Sequence, residues 1–171
     1  MRLGTVTSIS GTGMAEPVDA RELLNPVSFV ALGFGSGLAP VAPGTAGTLA
    51  AVPLYLLLQD LPLAVYLAVV AAMLLGGVPV CGYTAGRLGV HDHPAIVWDE
   101  VVGYLVTMIA APAGWQWVVA GFTLFRLFDI LKPWPIRWFD RHVHGGVGIM
   151  LDDVIAGMFA AVVLQLLVYF L

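Results

Sequence analysis

Between Arg126 and Asp153 the chain gathers four acids (Asp129, Asp140, Asp152, Asp153), four bases (Arg126, Lys132, Arg137, Arg141) and two histidines, His142 and His144. A second polar stretch, Tyr83 to Glu100, adds Arg87, His91, Asp92, His93, Asp99 and Glu100. Nearly everything around these two stretches is hydrocarbon, where an ionisable group is costly to keep unless it has work to do. The adjacent pairs Asp99-Glu100 and Asp152-Asp153 are hard oxygen ligands of the kind that suits Mg²⁺. Bases interleaved with them suit an anion held beside that cation. Metal-assisted phosphate chemistry is the reading these residue types favour.

The surroundings define what must position them. Of the 171 residues 60% are apolar and 11% charged, with a mean hydropathy of +0.93. Soluble domains carry about 25% charged residues. The composition predicts one all-α domain, a polytopic helical bundle in a membrane. A net charge of −4 without any basic run argues against nucleic acid as a partner. Cys81 is the single cysteine, so no intrachain disulfide forms.

Residues 1–24 are small and polar, lack the apolar core of a secretory signal, and read as a flexible cytoplasmic tail ahead of one membrane-embedded domain, 25–171. Pro26 to Leu38 is apolar but broken by Gly33, Gly35 and Gly37. Ala39 to Gly47, with its prolines and glycines, is predicted to be non-helical. Its small residues and free N–H groups, around Thr45, allow a phosphate to come close, although a plain connecting turn has the same composition. Apolar runs follow at Thr48 to Gln59, Pro62 to Gly82, Val101 to Ala111, Trp115 to Leu131 and Asp153 to Leu171.

If each run crosses once, about five crossings result. The tail, the 83–100 stretch and the 126–152 stretch then share one side, together with all seven Lys and Arg. By the positive-inside bias that side is cytoplasmic. Trp98, Trp134 and Trp138 mark its interface, and Trp115, Trp117 and Tyr169 the opposite one. Pro26 to Leu38 would break the parity as a crossing and is predicted to be a short re-entrant or buried helix. In this arrangement Asp99 and Glu100 open one helix, Arg126 and Asp129 close another, and Asp152 and Asp153 open the last.

Plainer explanations compete. Acids at helix N-termini offset the macrodipole, which accounts for one acid per helix more readily than for two adjacent pairs. His91-Asp92-His93 lacks the i, i+4 spacing of a helical zinc pair, and hydrogen bonding at an interface explains these histidines as well as a ligand role. Arg87, Lys132, Arg137 and Arg141 also satisfy lipid phosphates, and Asp140 pairs with a neighbouring arginine. Cys81 to Arg87 fits the Cys-x₅-Arg spacing of thiolate phosphatases, but the cysteine ends an apolar helix without the electropositive surroundings a thiolate needs. No Asp-x-Asp nucleophile motif is present. A solute carrier would place its charges near the midplane of repeated halves. A CDP-alcohol transferase would show Asp-Gly-x₂-Ala-Arg. Neither pattern occurs.

From about residue 25 onward the chain resembles the phosphatidylglycerophosphatase A family. The resemblance rests on Gly33-Phe-Gly-Ser-Gly-Leu38, Pro43-Gly-Thr45 with Gly47, His91-Asp-His93, Ile96-Val-Trp-Asp-Glu100, Phe125-Arg126 with Asp129, Lys132-Pro-Trp-Pro-Ile-Arg137, and Gly145-Gly-Val-Gly-Ile-Met150 with Asp152-Asp153. It implies an all-helical enzyme of the bacterial cytoplasmic membrane that uses Mg²⁺ to hydrolyse phosphatidylglycerophosphate to phosphatidylglycerol and phosphate. Roles for single residues follow from their chemistry. Asp99, Glu100, Asp129, Asp152 and Asp153 are the candidate Mg²⁺ ligands. Arg126, Lys132 and Arg137, with the Thr45 turn, are the candidate phosphate contacts. His91 or His93 would protonate the leaving glycerol oxygen. Water, or an aspartate such as Asp99 or Asp129 acting through a phosphoenzyme, would attack.

Overall fold

A computed structural model describes residues 18–90 and 92–171, and every regular element among them is helical. The helices are α1 (Pro26–Ala31), α2 (Pro43–Leu58), α3 (Leu63–Leu88), α4 (Trp98–Thr107), α5 (Trp115–Leu131), α6 (Ile136–His142) and α7 (Gly145–Phe170), with 3₁₀ segments at Ala20–Leu24 and Gly33–Leu38. Helix α7 is the central element and packs on α3, α4, α5 and α6. With 26 residues each, α3 and α7 are long and apolar enough to cross a membrane, and α2 is a shorter apolar helix. Their outer faces leave Leu57, Leu75, Val162 and Phe170 exposed, as a lipid-facing surface would.

Three boundaries differ from the sequence-based expectation, each for a reason visible in the packing. Helix α2 starts at Pro43, inside the stretch predicted to be non-helical, because proline at the first helical position gives up only an N–H that would be unpaired anyway. Helix α3 continues through Leu88, past the predicted end at Gly82, and stops where Gly89 takes a φ of 68°. Helix α7 begins at Gly145, not at Asp152. Its early glycines are there for close approach: a Cβ on Gly146 would overlap the Val78 carbonyl oxygen of α3. Asp152 and Asp153 therefore lie in the third turn, roughly 10 Å along the helix.

Helix α4 has ten residues, about 15 Å, and nearly all of them are buried. The chain reaches its start by an irregular descent through Ala95, Ile96 and Val97, which are themselves buried. Val97 N–H donates to the Ala31 carbonyl at 2.9 Å, and Gly37 has no Cβ because the Ala95 carbonyl occupies that space. On the far side of α4, Gly103 faces the Phe125 ring and Gly157 of α7 meets the Gly103 carbonyl. The predicted run Val101 to Ala111 is thus a half-length helix wrapped by protein, and its first turn, Asp99-Glu100, starts inside the bundle.

Residues 1–17 of the predicted tail lie outside the described residues. In its remainder, Glu22 receives Arg87 Nε and Nη2 at 3.1 and 3.0 Å and is held below the usual glutamate range, chiefly by that hydrogen bonding. Asn25 caps α1 by accepting from Val27 and Ser28 N–H. At the opposite end of the bundle, Gln165 Nε2 donates to the Ile109 and Ala110 carbonyls at 3.0 and 3.1 Å.

Candidate active site

A cavity of about 370 Å³ opens at the charged end of the bundle. Four helices and the descending segment build it: the start of α2 (Pro43, Gly44), Asp92 and Ile96, the start of α4 (Asp99, Glu100), the end of α5 (Arg126, Asp129, Lys132) and the third turn of α7 (Asp152, Asp153).

Within it the acids sort into two kinds. Asp99, Glu100 and Asp153 each bring a carboxylate oxygen to within 4.8 Å of the others. Asp99 Oδ1, Glu100 Oε2 and Asp153 Oδ2 are buried and have no hydrogen-bond partner. Three converging carboxylates, each keeping a buried oxygen without a partner, are expensive unless a cation completes them. An all-oxygen donor set of this charge fits Mg²⁺. The other two acids are engaged by bases. Asp129 is paired with Arg126, three residues before it on the same face of α5. Asp152 accepts from Lys132 Nζ at 2.6 Å. The adjacent residues Asp152 and Asp153 thus face different partners, one a base and the other the carboxylate group.

Helix dipoles do not account for this arrangement. Asp99 and Glu100 lie in the first turn of α4, where the dipole acts, but Asp152 and Asp153 lie beyond its reach on α7.

The bases are set by backbone geometry. Lys132 ends α5 in a left-handed conformation (φ 42°, ψ 60°), with Nζ bridging Asp140 at 2.5 Å and Asp152 at 2.6 Å. Burial works against its charge, but Asp152 and Asp140 outweigh it and hold the ammonium above the usual lysine range. The partner of Asp140 is therefore Lys132, not the arginine expected from its sequence neighbours. Arg126 also lies 3.9 Å from Glu100, and its Nε is buried without a partner.

Of the other residues singled out in the sequence, His93 is buried in the descending segment, where its Nδ1 accepts from Ala95 N–H at 3.1 Å. It does not line the cavity, whereas the neighbouring Asp92 does. His91 lies outside the described residues. Thr45 is in the first turn of α2, but Gly44 is the residue there that faces the cavity. Arg137 sits on α6, donates to the Leu131 carbonyl at 3.3 Å and lines a separate groove. Cys81 is fully buried inside α3, with Sγ 3.7 Å from Met150 Sδ, which leaves no loop for a thiolate phosphatase.

Sequence reasoning missed Asp92 and Gly44. Asp92 stood between two histidines that drew attention to zinc spacing. Gly44 was legible only as part of a Pro-Gly-Thr turn, yet a Cβ there would overlap Glu100 Oε1 and come within 3.1 Å of Arg126 Nη1. The uncapped start of α2 thus rests directly on the charged groups. Gly44→Ala is expected to fold, because only side-chain ends must move, and to lose about tenfold in cation affinity as Glu100 is displaced. Metal titration beside a thermal melt measures both.

Comparison with known proteins bears out the family resemblance. The sequence profile of the phosphatidylglycerophosphatase A family matches residues 29–168. A phosphatidylglycerophosphatase A of Escherichia coli K12 is 53% identical over 144 residues, covering 84% of each chain. One of Haemophilus influenzae Rd is 46% identical over 157 residues, 91% of this chain and 96% of the relative. A Bacteroides thetaiotaomicron protein, provisionally named as a phosphatidylinositol-3-phosphatase, is 39% identical over 143 residues, covering 79% of this chain and 89% of its own. No solved structure matches significantly. The buried carboxylates, the bases beside them and these alignments lead to one conclusion: the chain belongs to the phosphatidylglycerophosphatase A family, a family of phosphatases.

Proposed function

We propose that this protein hydrolyses the terminal phosphomonoester of phosphatidylglycerophosphate, giving phosphatidylglycerol and inorganic phosphate. The observation that carries the reading is the buried group Asp99, Glu100 and Asp153, with three unpartnered oxygens, set beside Arg126 and Lys132. These three acids would hold Mg²⁺. When bound, that ion neutralises phosphoryl oxygens and acidifies a water.

The chain's own groups do the remainder. Arg126 and Lys132 offer positive charge to the phosphate oxygens as charge builds on the leaving group. Asp129 and Asp152 hold those two bases in place. The N–H groups that follow Pro43 at the start of α2, with no side-chain cap, would support the same anion. The segment around His93 and Asp92 is the candidate source of the proton for the departing glycerol oxygen. With Nδ1 accepting from Ala95, a neutral His93 carries its proton on Nε2.

Purified protein in detergent, given phosphatidylglycerophosphate, should release phosphate with Mg²⁺ and stop with EDTA. Release unaffected by EDTA would remove the metal, and no release at all would remove the substrate. Phosphatidylinositol 3-phosphate in the same assay tests the second reading raised by the Bacteroides relative. Both lipids carry a monoester beyond a phosphodiester.

The protein would lie in the bacterial cytoplasmic membrane, with about five crossings and its active site facing the cytoplasm. The support is the set of apolar helices, α3 and α7 long enough to span a bilayer, together with the location of all Lys and Arg in the tail and the two charged stretches of sequence. Reporter fusions should place the carboxyl terminus in the periplasm. A cytoplasmic Leu171 would change the number of crossings.

A further inference from the structure

Lys132 belongs to two spaces. One is the acid-lined cavity. The other is an open groove of about 350 Å³ whose further walls include Trp134, Arg137, Trp138, Arg141 and His142. The groove is basic and aromatic where the cavity is acidic. Arg137 and Arg141 are four residues apart on α6 and share a face. The adjoining row is Trp138 and His142, whose rings stack with centroids 4.7 Å apart, the histidine Nδ1 lying 2.7 Å from the Trp138 carbonyl. Among the described residues neither arginine forms an ion pair, and the nearby acid, Asp140, is taken by Lys132. Two exposed guanidinium groups without carboxylate partners, flanked by amphipathic rings, form a surface that receives a phosphate at a membrane interface.

We propose that this groove binds the phosphodiester of the substrate while the cavity holds its phosphomonoester. The inference rests on the lipid-phosphatase reading above and adds what selects the substrate. A headgroup with a diester and a monoester separated by one glycerol presents two anions a short distance apart. The protein presents two anion-receiving regions joined at a single residue, Lys132. Trp134 and Trp138, 82% and 49% exposed, would lie against the glycerol and the upper acyl chains. A lipid whose only phosphate is a monoester would fill the cavity and leave the groove empty.

The same groove chemistry would also suit any anionic lipid of the bilayer, and the products of the reaction separate the two sources. Phosphatidylglycerol retains the diester, and inorganic phosphate is the former monoester. In mixed micelles of parent protein, phosphatidylglycerol should inhibit competitively. In Arg137→Gln and in Arg141→Gln, the KM for phosphatidylglycerophosphate and the inhibition constant of phosphatidylglycerol should each rise about tenfold, as for loss of one charge-assisted phosphate contact. Inhibition by inorganic phosphate should stay within twofold, and kcat within a few-fold. Arg137→Lys should recover part of the loss.

Non-competitive action of phosphatidylglycerol would overturn the proposal in favour of a general lipid anchor, and equal weakening of both product inhibitors would overturn it by placing the arginines at the monoester site. Unchanged constants in both variants would overturn it outright. Parent protein that releases no phosphate from the lipid fails the underlying reading instead, and does so before any variant is made.

Discussion

Asp153→Asn is expected to lower phosphate release by on the order of 100-fold at low Mg²⁺, the scale on which metal sites respond to loss of a supporting group. The substitution keeps the size of the side chain and one oxygen, but removes a negative charge from a carboxylate whose Oδ2 has no hydrogen-bond partner. Part of the activity should return at high Mg²⁺, because Asp99 and Glu100 still offer oxygens. Folding should not suffer, since Asp153 makes no hydrogen bond at Oδ2 and the substitution removes a charge that repels its acidic neighbours. Asp140→Asn is the comparison: its Lys132 contact is a third exposed, at 32%, and its removal should cost about 0–1 kcal/mol with little effect on turnover. If Asp153→Asn matches the parent at every Mg²⁺ concentration, the carboxylate group is not the metal site.

Arg126→Gln should produce the opposite pattern. The arginine pairs with Asp129, approaches Glu100, lines the cavity and keeps a buried Nε without a partner, so it holds positive charge next to the acids and one donor still free. Removing it leaves Asp129 unpaired at 12% side-chain exposure and should cost about 3 kcal/mol of stability, near the lower end for breaking a buried pair. Cation affinity should stay the same or rise, because the field around Asp99, Glu100 and Asp153 becomes more negative. Turnover should nevertheless fall by about 100-fold or more, since a group that stabilises charge in the transition state is gone. Arg126→Lys should restore stability better than turnover, because an ammonium supplies charge but not the planar fork of a guanidinium. A variant that loses metal affinity and turnover together would place Arg126 in support of the metal and not of the phosphate.

The long apolar helices, the helical class and the acids that converge were legible because they rest on composition and residue type. An apolar run of twenty residues and a pair of adjacent acids keep their meaning whatever the fold does. Depth and partnership were not legible. The glycines at 145, 146 and 148 read as a loop, and only the packing shows why they sit in a helix: Gly146 lies against the Val78 carbonyl of α3 and Gly148 against the Val143 carbonyl. That one shift moved Asp152 and Asp153 from a helix start to its third turn and removed the dipole explanation for them. Likewise nothing in Asp152-Asp153 as a dipeptide says that its members face different partners. The helical rotation of about 100° between neighbours does so, once Lys132 stands on one side and Glu100 on the other.

The most direct measurement is binding of Mn²⁺, as a spectroscopic substitute for Mg²⁺, followed by electron paramagnetic resonance with purified parent, Asp153→Asn and Arg126→Gln proteins in detergent. The expected result is saturable binding to the parent, at least tenfold weaker binding to Asp153→Asn, and binding to Arg126→Gln as tight as to the parent or tighter. Equal affinities in parent and Asp153→Asn, in proteins shown to be folded, would contradict the assignment of Asp99, Glu100 and Asp153 as the cation site on which the account depends.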